Sequence, residues 1–303
     1  MKTLKQTGEF KFIKEIAKIC KNKKTLQMGI GDDAAVIVKD KDSFLLYTTD
    51  MLIEDVHFKR DQDPRGIGHK CISCSVSDIA AMGGLPEYAL VSIGLPENLD
   101  IGFVKKVYAG MRRTADRFNI SIIGGDTNKS DKIIISVFLS GVVKRNHLVL
   151  RSGAKKGDLI FVTGKLGGSE CGRHLRFTPR VKEAQFLVKQ YSLHSMIDIS
   201  DGLAQDLNHI LQASNAGALL YEEQIPVSRD AKSIKEAYSQ GEDFELLFTA
   251  AKSCAQQMFK DWPFKKTAVL SCIGEIKDKK FGLKVKNINN KINKLKIKGY
   301  QHF

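Results

Sequence analysis

The chain has 303 residues, of which 43% are hydrophobic and 27% charged, and its net charge is +14. Domains typically hold about 100 to 200 residues, so we expect two, residues 1–146 and 147–303. No apolar run approaches the roughly 20 residues that span a bilayer, which excludes a membrane protein. Six scattered cysteines exclude a disulfide framework, and the N-terminus lacks the apolar core of a secretory signal. We therefore expect a cytoplasmic protein.

The positive charge raises nucleic acid as a partner, but its distribution argues against one. Lysines crowd the two ends of the chain, residues 2–24 and 277–298, without interleaved aromatic residues or a recognisable binding module. We expect a solvated face that at most attracts phosphorylated small molecules. No nucleic-acid partner and no membrane partner are predicted.

In the first half, the hydrophobic pattern alternates between strands and helices. Strands are predicted at 44–49, 120–123 and 133–142, and helices at 66–82 and 101–118. Charge and turn residues at 151–157 then interrupt the pattern. The second half gives a strand at 159–163, a helix that begins after Gly202, and a strand at 245–249. This order indicates an α/β protein.

Acidic residues follow apolar runs at six places, beside Gly, Ser or Thr. They are Asp32 with Asp33, Asp50, Asp78, Asp126, Asp198 and Asp201. We expect such runs to deliver carboxylates to strand ends, where oxygen ligands hold hard cations such as Mg²⁺. The pattern therefore predicts a site for several Mg²⁺ ions.

A dinucleotide-binding loop is the alternative for residues 29–34, which match the G-x-G-x-x-A spacing. Asp32 and Asp33 inside that loop would repel a bare pyrophosphate, whereas Mg²⁺ between carboxylates and phosphates makes them useful. The chain has no P-loop and no protein-kinase signature. Any nucleotide chemistry must therefore run through metal ions.

Two motifs have structural alternatives. Asp201 would serve equally well as the N-cap of the helix that follows it. His69, Cys71 and Cys74 have the spacing of a partial zinc knuckle, but a structural zinc site needs four ligands and no second pair stands nearby in sequence. For this motif we favour helical cysteines one turn apart.

Six blocks in order resemble the thiamine-monophosphate kinase family. They are residues 29–36, 48–58, 77–83, 124–127, 197–202 and 241–246, and the end segments 8–10 and 299–303 are also similar to that family. The resemblance covers nearly the whole chain. Each block alone is only moderately specific, whereas six in order are very specific.

The resemblance implies an α/β (α+β) chain with the two-domain fold of aminoimidazole ribonucleotide synthetase. In that fold the N-terminal domain forms the sheet of a homodimer, and the active site lies between the two domains. The implied reaction transfers the γ-phosphoryl group of ATP, assisted by Mg²⁺, directly to thiamine monophosphate. Thiamine diphosphate and ADP are the implied products.

Carried over by matching position, the family's site residues fall into three groups. The implied Mg²⁺ ligands are Asp33, Thr48, Thr49, Asp50, Asp78, Asp126, Asp198 and Asp201, of which Asp50, Asp126 and Asp198 are expected to be catalytic. The implied ATP contacts are Tyr108, Gly125, Asp126, Arg151 and Ser200. The implied contacts to the thiamine side are His57, Glu242 and Tyr300.

Three of these assignments have alternatives. Tyr108 lies on the apolar face of its predicted helix, where it would pack in the core. His57 would be a buried histidine without a ligand, and Phe303 is close enough in sequence to replace Tyr300.

The chain departs from the family pattern at two positions. The family usually has Gly where this chain has Asp55, and Asn where it has Ser75. Asp55 adds a negative charge near His57, which would raise the pKa of His57 or displace the substrate ring.

Two rival functions remain open. Within the same fold, selenophosphate synthesis is the nearest enzyme alternative, but Cys20 lacks the Gly-rich surroundings of that family's reactive residue. A non-catalytic nucleic-acid-binding protein would explain the charge, but it leaves the aspartates unexplained.

Overall fold

The computed structural model describes residues 3–20, 23–297, 299–300 and 302. Its helices are α1 (Leu4–Thr7), α2 (Glu9–Ile19), α3 (Pro64–Ala81), α4 (Ile101–Arg117), α5 (Val181–Gln190), α6 (Leu203–Ala213), α7 (Ile234–Ser239) and α8 (Ala255–Asp261). The strands of the first half are β1 (Leu26–Met28), β2 (Ala35–Val38), β3 (Ser43–Ile53), β4 (Leu85–Leu95), β5 (Ser121–Lys129) and β6 (Ile134–Lys144). Those of the second half are β7 (Leu159–Thr163), β8 (Leu193–Asp198), β9 (Ala216–Tyr221), β10 (Leu246–Ala250), β11 (Leu270–Asp278), β12 (Leu283–Lys286) and β13 (Ile292–Lys294).

These strands form two separate sheets, one in each half of the chain. The first has the order β1-β2-β3-β6-β4-β5, and the second has the order β13-β12-β9-β11-β7-β10-β8. All pairs are antiparallel except β4 with β5 and β12 with β9. The predicted α/β fold with two units is confirmed. The exact division after residue 146 stays a prediction, since the first sheet ends at Lys144 and the second begins at Leu159.

Helix α3 is the element that both sheets share. It packs against β3 and β6 of the first sheet and against β8 of the second, and 14 of its 18 residues are buried. Asp63 caps its N-terminus by accepting from the backbone N–H groups of Arg65 and Gly66. Side chains on its opposite faces therefore reach both halves of the molecule.

Two glycines let α3 and α4 cross closely. A Cβ at Gly68 would lie 1.9 Å from the carbonyl oxygen of Val107, and a Cβ at Gly110 would lie 2.1 Å from that of Arg65. Each helix thus presents a glycine to the backbone of the other. This close crossing fixes the position of α3 above the first sheet.

The first sheet has one covered face and one uncovered face. Leu46, Val91 and Val137 point toward the helices and are fully or almost fully buried. On the other side, Met51 is 54% exposed, Tyr88 50% and Leu90 38%. Tyr47 and Phe138 stack on each other between them, with ring centroids 5.5 Å apart. We call this side the open face.

The predicted strand ends are wrong for Asp50 and Asp126. β3 continues past Asp50 to Ile53, because Met51–Ile53 remain paired with Ile134–Ser136 of β6. β5 continues past Asp126 to Lys129. Of the residues predicted at strand ends, Asp198 does end its strand, β8. A carboxylate within a strand points to one face of the sheet instead of to its edge.

Candidate active site

Three aspartates from distant parts of the chain meet between the two sheets. Asp33 follows β1, Asp78 lies in α3 and Asp198 ends β8, and their carboxylate oxygens lie within 4.8 Å of one another. We call them the acid cluster. Ser77 of α3 donates to Asp198 across 2.6 Å, and Thr48 of β3 donates to Asp78 across 2.5 Å. These hydroxyls fix the orientation of two of the three carboxylates.

Arg151 is the cation beside the acid cluster. Its guanidinium donates to Asp33 across 2.6 Å, and its backbone N–H donates to Asp32. The side chain is 22% exposed, and its Nε lies 3.8 Å from Asp32 but has no hydrogen-bond partner among the described residues. One guanidinium thus faces four carboxylates, those of Asp32 and of the acid cluster, so their charges are only partly balanced.

The pKa values of these carboxyl groups are all raised. Burial raises the pKa of Asp198 to about 8, aided by the charge of Asp33. Burial, with the charges of Asp50 and Asp198, raises the pKa of Asp78 well above its usual range. For Asp33, burial outweighs the opposing effect of Arg151. Four buried carboxylates cannot all ionise beside a single cation, so they must bind protons or other cations.

The residues of the acid cluster fit a divalent metal ion. Oδ2 of Asp33 is buried and has no hydrogen-bond partner among the described residues. Carboxylate and hydroxyl oxygens are the ligands that Mg²⁺ prefers. A cation there would bind the unpartnered oxygen and replace the protons that the raised pKa values indicate.

Asp50 lies on the same side of β3 as α3. Its carboxylate accepts a hydrogen bond of 2.6 Å from Ser75, and burial raises its pKa. Ser75, one of the two departures from the family pattern, therefore has a direct partner in the site. Thr49, the next residue along β3, is exposed and lines the large cavity described below.

Asp126 lies away from the acid cluster. In the sheet register, Asp50 is in one row with Val137, Val91 and Gly125, whereas Asp126 is in the adjacent row with Ser92. Adjacent rows point to opposite faces, and three strand spacings of about 4.8 Å separate β3 from β5. Asp126 is therefore exposed on the side of the open face, and its role in metal binding stays a prediction.

Asp201 belongs to a second group of ligand-type side chains. It lies with Asp206 and His209 of α6, with ligand atoms within 4.8 Å of one another. The capping alternative for Asp201 is wrong. The N-cap of α6 is Gly202, and the Asp206 carboxylate accepts from the backbone N–H groups of residues 201 and 202. Burial raises the pKa of Asp201 to about 6.

A cavity of about 750 Å³ lies beside Asp50 and Asp201, which both line it. The three residues predicted to contact the thiamine side, His57, Glu242 and Tyr300, all line it, as do Asp50, Ser200 and Asp201. Glu242 is held by its backbone N–H, which donates to the carbonyl of Ser200 across 2.7 Å. The structure therefore brings the three residues to one surface. Phe303, the alternative to Tyr300, lies outside the described residues.

His57 is half-buried, and its ring accepts from the backbone N–H of Ile53 across 3.0 Å. Burial and the charge of Lys70 lower its pKa, against the opposing effect of Glu242. The expectation that Asp55 raises the pKa of His57 is therefore wrong. Asp55 instead forms an exposed ion pair of 2.9 Å with Lys132. Asp55 has a φ of +66°, which explains glycine at this position in the family pattern.

Two predicted ATP contacts have structural roles. Tyr108 packs against the first hydrophobic core from α4, in line with the alternative of core packing. Gly125 approaches β4 so closely that a Cβ would lie 1.7 Å from the carbonyl oxygen of Val91. Their contacts to a nucleotide stay predictions. His69 bonds to Thr114 and to the carbonyl of Phe177, and both Cys71 and Cys74 are buried in α3.

Sequence reasoning missed the charged side chains around the cavity. Lys70 is 1% exposed and donates to Glu242. Arg173 donates to Asp243, which also accepts from Ser169 and the backbone of Gly167. Lys70 carries a recognisable signal, because it shares a helix face with Cys74 and Ser77 at spacings of four and seven residues. Arg173 also donates to the nearby carbonyl groups of Lys165 and Gly167, but its ion-pair partner Asp243 is 70 residues away and has no local signal.

Comparison with known proteins gives the family of this chain. Residues 31–143 match the family "AIR synthase related protein, N-terminal domain", and residues 147–286 match its C-terminal domain. The thiamine-monophosphate kinase of Aquifex aeolicus is 40% identical over 82% of this chain and 88% of its own length. That of Bacillus subtilis is 31% identical over 97% of this chain and 99% of its own length.

Among solved structures, "AaThiL complexed with AMPPCP and TMP" is 36% identical and has a TM-score of 0.87, covering 100% of this chain and 99% of that chain. The hydrogenase maturation protein HypE of E. coli, at 21% identity and a TM-score of 0.71 over 84% of this chain and 86% of its own, shares the fold alone. The matches cover both halves and nearly the full length of the sequence, so the chain belongs to the thiamine-monophosphate kinase family.

Proposed function

We propose that the chain transfers the γ-phosphoryl group of ATP to thiamine monophosphate, forming thiamine diphosphate and ADP. Two observations carry this proposal together: the acid cluster, and a cavity that His57, Glu242 and Tyr300 line with Asp50 and Asp201. A relative that matches the whole chain was solved with AMPPCP, an ATP analogue, together with TMP. A donor and an acceptor thus occupy one protein of this fold at the same time.

The acid cluster would hold Mg²⁺, with Thr48, Thr49, Asp50 and Asp201 as further ligands. Bound Mg²⁺ would neutralise the phosphate charges and align the two phosphates for in-line transfer. Asp33 offers the unpartnered buried oxygen. Ser75 and Ser77 orient the carboxylates of Asp50 and Asp198 from α3. Asp126 would contribute to metal binding from the open face.

Arg151 and Ser200 would bind the nucleotide. A guanidinium presents paired donors that match phosphate oxygens, and the Nε of Arg151, which lies 3.8 Å from Asp32 as an ion pair, donates no hydrogen bond within the described residues. Its link to Asp33 brings this donor next to the metal ligands. Direct transfer needs no covalent enzyme intermediate, because each phosphate is held by its own group of residues.

The acceptor would occupy the large cavity, with its phosphate toward the acid cluster and its rings toward His57, Glu242 and Tyr300. The lowered pKa of His57 keeps its ring neutral at pH 7, so it adds no repulsion against the cationic thiazolium ring. Glu242 supplies negative charge on the same wall. The wall thus complements a positively charged acceptor.

A homodimer would form through the open face. Met51, Tyr88 and Leu90 give this face an exposed apolar surface, and large exposed apolar patches mark protein interfaces. A second copy of the chain would cover it. Asp126 would then lie at the border of the interface.

We further propose a cytoplasmic enzyme without a nucleic-acid partner. All six cysteines are free, as expected in a reducing compartment. Among the described residues, no helix is both long and apolar enough to cross a bilayer. Part of the positive charge of the lysines is paired with carboxylates, as in the ion pairs of Lys156 with Asp278 and of Lys129 with Glu97.

The test offers purified protein ATP labelled at the γ position, Mg²⁺, and either thiamine monophosphate or free thiamine. We expect label in thiamine diphosphate with the monophosphate alone. The Asp198→Asn variant serves as the matched control and should give no labelled product. Label transferred to free thiamine, or no transfer by folded wild-type protein, would contradict the proposal.

A further inference from the structure

Lys70 is one of the largest fully buried side chains of the described residues, with 1% of its surface exposed. It lies in α3, among small and apolar neighbours such as Cys71 and Ile72. A buried ammonium group is costly unless hydrogen bonds and an opposite charge compensate it. Its retention inside the protein therefore depends on its two partners.

The two partners of Lys70 come from different halves of the chain. Its Nζ donates to the carbonyl oxygen of His57 across 2.7 Å, and it donates to Oε1 of Glu242 as an ion pair. His57 follows β3 of the first sheet, and Glu242 precedes β10 of the second. Lys70 thus joins two walls of the large cavity and contributes to its lining.

Glu242 keeps one oxygen available to the cavity. Its side chain is 29% exposed, and among the described residues no donor is recorded for Oε2. Its backbone is fixed at a φ of +64° by the bond of its N–H to Ser200. With Oε1 occupied by Lys70, the carboxylate has one orientation in which Oε2 accepts from a ligand.

We propose that Lys70 is a positioning residue for the acceptor, which it serves by orienting the carboxylate of Glu242 and the main chain at His57. This inference rests on the proposed function. Lys70 also lines the cavity, but two of its ammonium donors are already bound to the protein, at His57 and Glu242. It keeps a single negative oxygen directed at a cationic, N–H-bearing acceptor.

The test is Lys70→Met, which keeps a long unbranched side chain and removes the charge. We expect the KM for thiamine monophosphate to rise at least 10-fold, while the KM for ATP and the Mg²⁺ dependence stay within about twofold. Lys156→Met is the control for the loss of one positive charge, because Lys156 is exposed and pairs with Asp278. It should leave both KM values unchanged.

A double-mutant cycle with Glu242→Gln separates positioning from a merely structural role. If Lys70 acts through Glu242, Lys70→Met adds less than a twofold change in acceptor KM to the Glu242→Gln variant. The inference would be overturned if the two substitutions multiplied their effects on the acceptor KM. It would also be overturned if Lys70→Met raised the KM for ATP as much as the KM for the acceptor. If Lys70→Met does not fold, the double variant has no unpaired buried charge, and its acceptor KM must match that of Glu242→Gln. Wild-type protein without the kinase activity would instead overturn the proposed function itself, and this inference with it.

Discussion

At the scale of single residues, hydrogen-bond donors explain why the three aspartates of the acid cluster tolerate burial. Each has a hydroxyl or guanidinium donor, but together they carry more negative charge than Arg151 balances. A bound metal ion would relieve that repulsion, so we expect function and stability to oppose each other at this site. Removing a carboxylate should therefore cost activity without costing the fold.

Asp33→Asn tests this opposition. We expect the rate of phosphoryl transfer to fall at least about 100-fold, because the variant loses a metal ligand and the link to Arg151. Thermal unfolding in EDTA should occur at the wild-type temperature or above it. Asp116→Asn, an exposed residue paired with Arg112, is the control and should keep full activity. A variant with wild-type turnover would contradict the role of the acid cluster.

The raised pKa of Asp198 predicts how stability depends on pH. Its pKa is about 8 in the folded chain against an ordinary 3.8, so the folded state binds an extra proton between these values. Stability in EDTA should therefore fall as pH rises from 5 to 8, by up to about 1.4 kcal/mol per pH unit for one group. Mg²⁺ should reduce this fall.

The measurement is thermal unfolding at four pH values, with EDTA or with Mg²⁺. Asp198→Asn removes the titrating group, so its slope in EDTA should be shallower than that of wild type. A wild-type stability in EDTA that rises from pH 5 to 8 would contradict the raised pKa.

Asp55 offers a third residue-scale prediction. Its φ of +66° strains any residue with a Cβ, whereas its exposed ion pair with Lys132 is worth less than about 1 kcal/mol. Asp55→Gly should therefore be as stable as wild type or about 1 kcal/mol more stable. Its turnover should stay within a few fold.

Asp55→Ala is the matched comparison, because it loses the ion pair but keeps the Cβ. Denaturant unfolding should rank it below Asp55→Gly. A hundredfold loss of turnover in Asp55→Gly would show that Asp55 has a role of its own.

At the scale of elements, the position of α3 depends on its glycine crossing with α4. Gly68→Ala would force the two backbones apart, since its Cβ would lie 1.9 Å from the carbonyl oxygen of Val107. We expect a loss of about 1 to 3 kcal/mol in unfolding free energy. We also expect weaker Mg²⁺ binding, because α3 carries Ser75, Ser77 and Asp78.

Lys105→Ala, on the exposed side of α4, is the control for a change in helix sequence alone. Chemical denaturation and Mg²⁺ titration measure the two effects. An unchanged Gly68→Ala variant would show that the crossing can relax without affecting the site.

The elements also separate what the sequence predicts from what it leaves open. Hydrophobic periodicity located β7 and α3 within two residues, because both are long or strongly apolar. It ended β3 at Asp50, since a charged residue normally closes an apolar run. Pairing with β6 and the hydroxyl of Ser75 keep Asp50 inside the strand, and both are contacts distant in sequence.

At the scale of the whole molecule, the same distinction applies to the site. Family blocks pointed to Asp33, Asp78 and Asp198, which the fold brings together, and to Asp126, which the register directs to the open face. Lys70 and Glu242 are 172 residues apart, and no local pattern joins them. Only the packing of one half against the other creates that pair.

The open face gives a prediction about assembly. Leu90→Glu introduces a charge into the exposed apolar surface of the first sheet without touching its buried side. If the open face is the dimer interface, this variant should sediment as a monomer, whereas wild type sediments as a dimer. Lys156→Glu, on the second sheet's side of the chain, is the control and should leave the mass unchanged. A dimeric Leu90→Glu variant would exclude the open face.

The burial of α3 limits the substitutions that this helix can accept. With 14 of its 18 residues buried, α3 meets a sheet, a crossing helix and two ligand sites at once. A substitution there must satisfy several neighbours together, so acceptable changes come in compensating pairs. We therefore expect a library of random substitutions to yield fewer active variants changed in α3 than on the exposed side of α4.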